Sequence, residues 1–256
     1  MKRIIPSLLL VSLILFSSCE DRLVKDPEDP TAPSGTIIRD AVKDKDGNKY
    51  DAVKIGNQVW IAENLKTTKY ADGTPISRGY GESYDVGYWY YPDDNSANKE
   101  TYGLLYNWKA VMRNSPSSSS NPSGVQGICP DGWHVPSDAE WTELTDYVSS
   151  QNQYQCNSNS GNIAKALAST TGWNSSTTVC AVGTNPSANN ATGFSAVPAG
   201  GYYGSYYGFG SGADYWSATE YNSGSAYRRY LGYDNANVGR DNDDESNGLS
   251  VRCVRD

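Results

Sequence analysis

The segment from 221 to 246 mixes Tyr, Arg, Asn, Asp, Ser and Gly, and the earlier segment 200–208 reads GGYYGSYYG. The chain has 20 Tyr but only 3 Phe, and rigid amphipathic rings beside adaptable polar side chains are typical of binding surfaces. These segments predict a ligand-binding face; the alternative is that the loops only pack over a sheet. The candidate ligand-binding residues are Tyr202, Tyr203, Tyr206, Tyr207, Tyr221, Arg228, Tyr230, Asp234, Arg240, Asp241, Asp243 and Asp244.

The stretch 226–234 favours a strand in which alternate side chains lie on opposite faces. Leu231 marks the inner face, which it shares with Tyr227 and Tyr233. The outer face then carries Arg228, Tyr230, Gly232 and Asp234. This face thus presents a cation, an aromatic ring, a residue without a side chain and an anion in succession. Such a set is more typical of a ligand-binding surface than of core packing, so we expect the ligand on this face.

Catalytic chemistry has weaker support in this sequence. The one His of the chain, His134 in GWHVP, is expected to have a structural role in a turn, and no serine nucleophile motif accompanies it. The acids of 241–245 are nearly contiguous, whereas glycoside hydrolysis needs two carboxylates at a fixed separation across a cleft. We therefore expect no enzyme; a carbohydrate-active enzyme with paired carboxylates is the less favoured alternative.

Metal sites and cofactors are not predicted. The stretch DKDGN, from Asp44, resembles the start of a calcium loop, but its twelfth position is Ile55 rather than a bidentate Glu, so a plain hairpin turn is the better interpretation. A zinc site is disfavoured because the cysteines lack CxxC spacing. A calcium requirement of the acidic run 241–245 stays open.

The five cysteines indicate an exported protein. Cys19 follows the leader, and the remaining even set, Cys129, Cys156, Cys180 and Cys253, predicts two disulfides in an oxidising compartment. Three pairings are possible. We favour Cys156 with Cys180 as a local closure, and Cys129 with Cys253 as a long clasp of the final strand.

Residues 1–18 resemble a bacterial lipoprotein signal, because two basic residues precede the apolar run LLLVSLILF and the small pair SS leads into Cys19. Cys19 is the expected lipidation site, and 19–35 is expected to be an acidic, Pro-rich tether. We therefore predict an outer-membrane lipoprotein, exposed at the cell surface and held to the membrane by its lipid anchor.

The charge of the chain disfavours nucleic acid as a partner. Without the leader, 19 basic residues remain against 29 acidic ones, which gives a net charge near −10. A strongly acidic domain repels phosphate backbones.

Hydrophobic periodicity indicates one α+β domain over 36–256. Strands are predicted at 36–44, 49–56 and 58–65, helices at 101–112, 137–150 and 161–169, and further strands at 194–201, 213–219, 226–233 and 249–256. The helix at 137–150 has the clearest start, because Ser137 and Glu140 have the spacing of a capping box. The strands at the two ends of the domain are expected to share one sheet.

Six blocks in order resemble the Fibrobacter succinogenes major paralogous domain, a family of exported bacterial lipoproteins: DGNKYDAVKIGNQVWIAENLK, YGLLYNWKAV, CPDGWHVPSDAEW, GFSAVPAGG, YWSATE and GLSVRCVRD. The resemblance covers about 44 to 256. It implies a C-type-lectin-like fold, with a twisted antiparallel sheet, two to three short helices and long loops. The sugar-binding motifs of C-type lectins, Glu-Pro-Asn or Gln-Pro-Asp with Trp-Asn-Asp, are absent from the sequence.

The segment 221–246 also resembles the variable region of diversity-generating retroelement targets, which precedes a constant final strand in a lectin-like domain. That resemblance implies a fixed scaffold strand with neighbours that vary. The implied variable positions are Tyr221, Gly224, Ser225, Arg228, Tyr230, Gly232, Asp234, Gly239, Asp241, Asp243, Asp244 and Ser246.

Together these patterns predict a non-catalytic binding module, adhesin-like or receptor-like. The expected partner is an extracellular protein or a glycan. A structural envelope lipoprotein is the alternative, and it is favoured if the Tyr rings are buried.

Overall fold

A computed structural model of the chain describes residues 32–256. The predicted signal peptide at 1–18, the lipidation site Cys19 and the tether up to residue 31 lie outside the described residues. The strands are β1 (Ile37–Lys43), β2 (Lys49–Ile55), β3 (Gln58–Ile61), β4 (Ser77–Arg78), β5 (Tyr88–Tyr90), β6 (Leu105–Tyr106), β7 (Trp133–His134), β8 (Gly201–Tyr202), β9 (Tyr206–Tyr207), β10 (Gly212–Asn222), β11 (Ser225–Gly232), β12 (Gly239–Asp244) and β13 (Val254–Arg255). The helices are α1 (Lys99–Tyr102), α2 (Trp108–Met112), α3 (Asp138–Ser150) and α4 (Ala164–Leu167), with 3-10 turns at Pro92–Asp94, Ser96–Asn98, Asn152–Tyr154 and Pro186–Ala188.

The first sheet joins the two ends of the described chain. Its strand order is β1-β2-β3-β13-β7, and all neighbouring strands in it are antiparallel. Val254 of β13 pairs with Trp60 of β3 on one side and with His134 of β7 on the other. The prediction that strands from both ends of the domain share a sheet is confirmed, as is the α+β class.

The turn between β1 and β2 is a hairpin turn, as predicted. The Asp44 carboxylate accepts hydrogen bonds from the backbone N–H groups of Asp46 and Asn48, at 3.0 and 2.9 Å. The Tyr50 hydroxyl donates to the same carboxylate at 2.7 Å. An Asp at the start of a turn commonly bonds the backbone two residues on, so these contacts account for the turn.

The second sheet carries most of the candidate ligand-binding residues. Its order is β10-β11-β12, with both pairs antiparallel. The β11–β12 register runs unbroken from Ser225 opposite Asp244 to Tyr230 opposite Gly239. The polar stretch 239–244 is therefore a regular strand, because pairing with β11 satisfies its backbone while its side chains stay polar.

Helix α3 begins with the predicted capping box. Ser137 Oγ accepts a hydrogen bond from the Glu140 N–H at 3.2 Å, and Glu140 Oε2 accepts one from the Ser137 N–H at 2.9 Å. The buried apolar side chains of α3 are Trp141, Leu144 and Val148. The Trp141 ring lies 4.6 Å from that of Trp60, which packs the helix against the first sheet.

The predicted helix at 101–112 is wrong as a single element. Helix α1 ends at Tyr102, and the strand β6 follows before α2 begins. Gly103 interrupts the helix because its φ is 76°, a left-handed value, and a Cβ there would lie 2.6 Å from the Cβ of Asn64. The apolar spacing that suggests one helix belongs to buried residues of β6 and α2 and to Leu104, which precedes β6.

Four other predicted elements are clearly shorter in the structure. The strand predicted at 58–65 is β3, which ends at Ile61. The helix predicted at 161–169 is the single turn α4. The strand predicted at 194–201 is irregular until β8 begins. Of the strand predicted at 249–256, only β13 is regular, because the rest makes isolated bonds to other elements, such as the Trp216 N–H donating to Ser250 O at 3.2 Å.

Both predicted disulfides are present with the favoured pairing. Cys129 bonds to Cys253, 124 residues away, and Cys156 bonds to Cys180, 24 residues away. The first disulfide clasps the segment before β13 to the loop before β7. The second closes the loop that carries α4.

A buried arginine, which no sequence pattern singles out, anchors the C-terminal segment. Arg252 is fully buried, and burial lowers its pKa. Its guanidinium donates to the carbonyl oxygens of Ile61 at 3.0 Å, Phe194 at 2.6 Å and Ser195 at 2.8 Å. Its Nε donates to Asn64 Oδ1 at 2.8 Å. These bonds join the last residues of the chain to β3 and to the loop that follows α4.

Candidate binding cleft

The hairpin formed by β8 and β9 provides one wall of the candidate site. Tyr202 is only 7% exposed, and its ring stacks on Tyr90 with centroids 4.3 Å apart and 14° between the planes. Tyr206 meets Tyr202 edge-on at 5.1 Å, and its hydroxyl donates to Asp94 at 3.3 Å. The assignment of Tyr202 to ligand binding is therefore corrected: the stacked pair places this ring in the core beneath the hairpin.

The other two tyrosines of the hairpin differ in exposure. Tyr203 packs against the core, and burial raises the pKa of its hydroxyl. Tyr207 is 78% exposed. Gly200, just before β8, allows the backbone at Tyr207 to pack against it. Its φ is 65°, and a Cβ there would lie 2.4 Å from Tyr207 O. Tyr207 is thus presented to solvent from a hairpin that packing holds in place.

Arg228 lies at the centre of the β11 face and is engaged by carboxylates of both neighbouring strands. It pairs with Asp214 of β10, and its Nε lies 3.1 Å from Asp243 Oδ2 of β12. Its guanidinium also lies 4.9 Å from the ring centroid of Tyr230. Because it is paired on two sides and its side chain is only 18% exposed, Arg228 holds its neighbours in position more than it offers a free charge.

Asp214 is a candidate that sequence analysis misses, because it lies in what looks like a core strand. It is 8% exposed. Burial raises its pKa to about 6, Arg228 opposes that rise, and Asp243 adds to it. A Cβ at Gly212 would lie 3.2 Å from Asp214 Oδ2, so the small residue keeps space beside this carboxyl.

An open space of about 620 Å³, the tyrosine cleft, lies between the hairpin and the ends of β10 and β11. It is lined by Tyr203, Ser205, Tyr207, Gly208, Ser211, Gly212, Asp214, Arg228, Tyr233 and Asp234. Its volume falls in the range of small-ligand sites, roughly 300–1,000 Å³. Four predicted ligand-binding residues meet here, namely Tyr203, Tyr207, Arg228 and Asp234.

Arg240, also predicted to contact ligand, links β12 to α3. Its Nε and Nη2 donate to Asp138 Oδ2 at 3.1 and 2.9 Å. Its guanidinium lies 4.0 Å from the ring centroid of Tyr227. Asp138 also accepts from Arg229, which is 3% exposed, so these charges form a structural network at the start of the helix.

Tyr221, Asp241 and Asp244 lie outside the tyrosine cleft. Tyr221 is half exposed and meets Tyr227 edge-on at 5.3 Å. Asp244 accepts a hydrogen bond from the Tyr84 hydroxyl. Tyr84 belongs to the loop between β4 and β5, which no sequence pattern connects with this sheet.

The implied variable positions differ in accessibility. Tyr221 and Asp234 are exposed, whereas Gly239 and Ser246 are buried. Gly239 lies beneath Tyr230, because a Cβ at Gly239 would lie 2.2 Å from that ring. Any side chain at Gly239 therefore requires Tyr230 to move, and the two positions are coupled.

His134, in strand β7, lies between the carboxylates of Glu140 and Asp256. Its Nε2 lies 2.6 Å from Glu140 Oε1, and its Nδ1 lies 2.7 Å from Asp256 Oδ1. Burial alone would lower its pKa, but the hydrogen bonds and charges of Glu140 and Asp256 outweigh burial and raise it. The geometry supports a structural role for His134, which ties the start of α3 to the end of the chain.

The polar groups that line the tyrosine cleft are carboxyl, guanidinium and hydroxyl groups. Within residues 32–256, no group of three or more His, Cys, Asp or Glu side chains is arranged to hold a metal ion. In the same part of the chain, no helix has the length and apolar character that crossing a membrane requires.

The fold and the cleft define the class of protein, an α+β domain closed by two disulfides that presents an open cleft beside a three-stranded sheet. The chain belongs to the Fibrobacter succinogenes major domain family, whose model matches residues 53–255. This match confirms the family resemblance of the six sequence blocks. Neither a curated protein nor a solved structure matches the chain.

Proposed function

We propose that this chain is a cell-envelope lipoprotein whose C-type-lectin-like domain, 36–256, binds a ligand in the tyrosine cleft without catalysing a reaction. The observation that carries the proposal is the cleft itself, in which rings and polar groups converge on an open volume of about 620 Å³. In this proposal, the lipid on Cys19 anchors the domain to the outer membrane, and the tether that follows lets the domain face the cell exterior.

An extracellular glycan is the ligand that suits the cleft best. Tyr207 offers an exposed ring for stacking on a sugar, and Ser211 and Asp234 offer hydroxyl and carboxylate groups to its hydroxyls. A concave site accommodates a few sugar units more readily than a flat protein surface. An extended protein segment, the other ligand class that the sequence predicts, is a further outcome of the test below.

The ion pairs of Arg228, which lines the cleft together with Asp214, support binding by keeping the site rigid. Arg228 is already held by Asp214 and Asp243, so it has little freedom to lose when a ligand arrives. Each side chain that must be immobilised costs about 0.5–1.5 kcal/mol on association, and a preorganised site avoids that cost. Arg228 is therefore a positioning residue of the cleft.

The structural-envelope alternative depends on whether the Tyr rings are buried. Tyr202 and Tyr90 are buried and satisfy that condition. Tyr207 is mostly exposed and does not satisfy it. The exposed ring lies in the cleft, which favours binding over a purely structural role.

A glycan array probed with the purified full chain tests the proposal. We expect bound glycans to be lost in the double variant Tyr207→Ala, Asp234→Ala and kept in Val179→Ser, which changes an exposed residue outside the cleft. Arg228 stays unchanged in these variants, because its removal would leave Asp214 buried without its partner.

Circular dichroism checks that each variant is folded. Binding that persists in the folded cleft variant would overturn the proposal of this site. A wild-type chain that binds no glycan but captures an extended peptide would move the ligand to the protein class.

A further inference from the structure

Positive and negative groups are unequally represented around the tyrosine cleft. Among the described residues that line it, Arg228 is the one cation, whereas Asp214 and Asp234 both carry carboxyl groups. Two further carboxylates approach the same guanidinium from β12. Asp243 Oδ2 lies 3.1 Å from Arg228 Nε, and Asp241 Oδ2 lies 3.9 Å from Arg228 Nη2. Four carboxyl groups therefore share one cation in and beside the cleft.

Arg228 is already neutralised by its neighbours and does not offer a free charge to an acidic ligand. An acidic group that reached its guanidinium would compete with Asp214 and Asp243, whose side chains are only 11% and 14% exposed. Removing the partner of a buried charge is costly, because the charge that remains has lost both water and its counter-ion. Arg228 therefore does not act as a receptor for carboxylate, sulfate or phosphate groups.

The hydroxyl of Tyr203, which also lines the cleft, shows how this wall acts on a negative charge. Burial raises its pKa, the charges of Asp214 and Asp243 raise it further, and the charge of Arg228 opposes the rise. Each of the two carboxylates acts on this hydroxyl more strongly than the guanidinium does. An anion at this wall is therefore disfavoured by the neighbouring charges as well as by burial.

Asp234 is the lining carboxylate that faces solvent. It is exposed, it follows the end of β11, and among residues 32–256 it forms no ion pair. The other three carboxylates lie within reach of Arg228, so their charge is partly balanced. The charge of Asp234 is not balanced in this way, and it lies where a ligand enters the cleft.

We propose that the tyrosine cleft binds glycans without acidic groups and excludes those that carry carboxylate, sulfate or phosphate, with Asp234 as the specificity-determining residue. This inference rests on the proposed function of the cleft and narrows its ligand class. A neutral sugar donates its hydroxyls to the carboxylates and stacks on Tyr207, whereas an acidic sugar brings a like charge to the same groups. Unpaired charge placed against the wrong ligand is a common basis of specificity.

A glycan array with matched charges tests the exclusion. Each neutral oligosaccharide is printed beside the form in which a primary alcohol is oxidised to a carboxylate, and beside the methyl ester of that acid. For every neutral glycan that the purified full chain binds, we expect the acid to bind about fivefold or more weakly than its ester. Equal binding of acid and ester, or equal loss of both, would overturn the exclusion by charge and leave the cleft as the binding site. An array without any bound glycan would overturn this inference together with the proposed glycan ligand.

Two variants separate Asp234 from the overall charge of the chain. Asp234→Asn removes one charge at the cleft, and Asp146→Asn removes one charge from the exposed face of α3 as the matched control. We expect the ratio of ester to acid affinity to fall to about twofold in Asp234→Asn and to stay at about fivefold or more in the control. In the wild-type chain this ratio should also shrink between about 0.02 M and about 0.5 M salt, because salt screens exposed charges. A ratio that is unchanged in Asp234→Asn, or that does not respond to salt, would overturn the role of Asp234.

Discussion

His134 makes the stability of the domain depend on pH. Its pKa is raised above 6.5, since Glu140 and Asp256 favour the protonated ring in the folded state more than burial opposes it. A raised folded-state pKa stabilises the fold fully below the unfolded value of 6.5, and this stabilisation is lost as the pH rises through the folded-state value. We therefore expect the contribution of His134 to the free energy of unfolding to fall as the pH rises above 6.5.

The matched variant His134→Gln isolates this effect in urea denaturation curves. Asp214 and Glu245 also titrate in this range, with pKa values of about 6 and about 7, but both chains contain them. The difference between wild type and variant should therefore shrink as the pH rises. Parallel curves over the whole range would contradict the role given to His134.

Arg252 is expected to be among the most sensitive positions of the core. Arg252→Met leaves the carbonyl oxygens of Ile61, Phe194 and Ser195 without their donor, and buried acceptors without partners are costly. We expect a loss of about 3 kcal/mol or more in the free energy of unfolding. The control Arg39→Met changes an exposed arginine and should cost about 1 kcal/mol or less. Equal losses would contradict the anchoring role.

At the scale of elements, Gly200 is expected to fix the hairpin that forms one wall of the tyrosine cleft. Gly200→Ala places a Cβ 2.4 Å from Tyr207 O at a φ of 65°, whereas Gly208→Ala, at a φ of 77°, meets nothing nearer than 3.8 Å. Both variants carry the left-handed penalty, but only the first forces the backbone of the hairpin to move. We expect Gly200→Ala to destabilise the domain by about 1–3 kcal/mol more than Gly208→Ala in thermal unfolding. Equal melting temperatures would contradict this interpretation.

The two disulfides are expected to stabilise the domain unequally. Cys129–Cys253 closes a separation of 124 residues and Cys156–Cys180 one of 24. In the chain-entropy model, the longer closure contributes about 5 kcal/mol and the shorter about 3.5 kcal/mol. Replacing both cysteines of a pair by Ala should therefore cost more for the long clasp, as measured by urea denaturation under oxidising conditions. The reverse order would contradict the assignment of the clasp as the main covalent support.

Local rules predict some elements of this fold and miss others. The capping box of Ser137 and Glu140 and the turn at Asp44 depend on neighbours in sequence, and both are found as predicted. The strand at 239–244 depends on pairing with a distant strand, so its polar composition conceals it. The break at Gly103 depends on contact with Asn64, which periodicity does not reveal.

The same distinction between local and distant contacts explains which residues of the candidate site the sequence predicts. Composition identifies Tyr207 and Asp234 as surface residues, because exposed loops are rich in such side chains. It does not separate Tyr202, which stacks on Tyr90, from its exposed neighbours in the hairpin. Asp214 is missed because its role depends on Arg228 from the adjacent strand. In both cases the partner, Tyr90 or Arg228, lies far away in sequence, so the segment that contains the residue does not reveal the contact.

At the scale of the whole molecule, the tyrosine cleft occupies one end of the second sheet. It lies where β10 begins and β11 ends, opposite to the turn that joins these strands. The first sheet, the long disulfide and Arg252 belong to the scaffold of the domain rather than to the cleft.

The most direct test of the central claim compares two tyrosines of equal exposure. Tyr207 in the cleft is 78% exposed and Tyr80 outside it is 81% exposed, so their replacement by Ala removes similar solvent-facing rings. Isothermal titration with the glycan bound most tightly on the array should give a Kd about tenfold or more weaker for Tyr207→Ala, and one within about twofold of wild type for Tyr80→Ala. Equal affinities for the two variants would show that recognition does not take place in the tyrosine cleft.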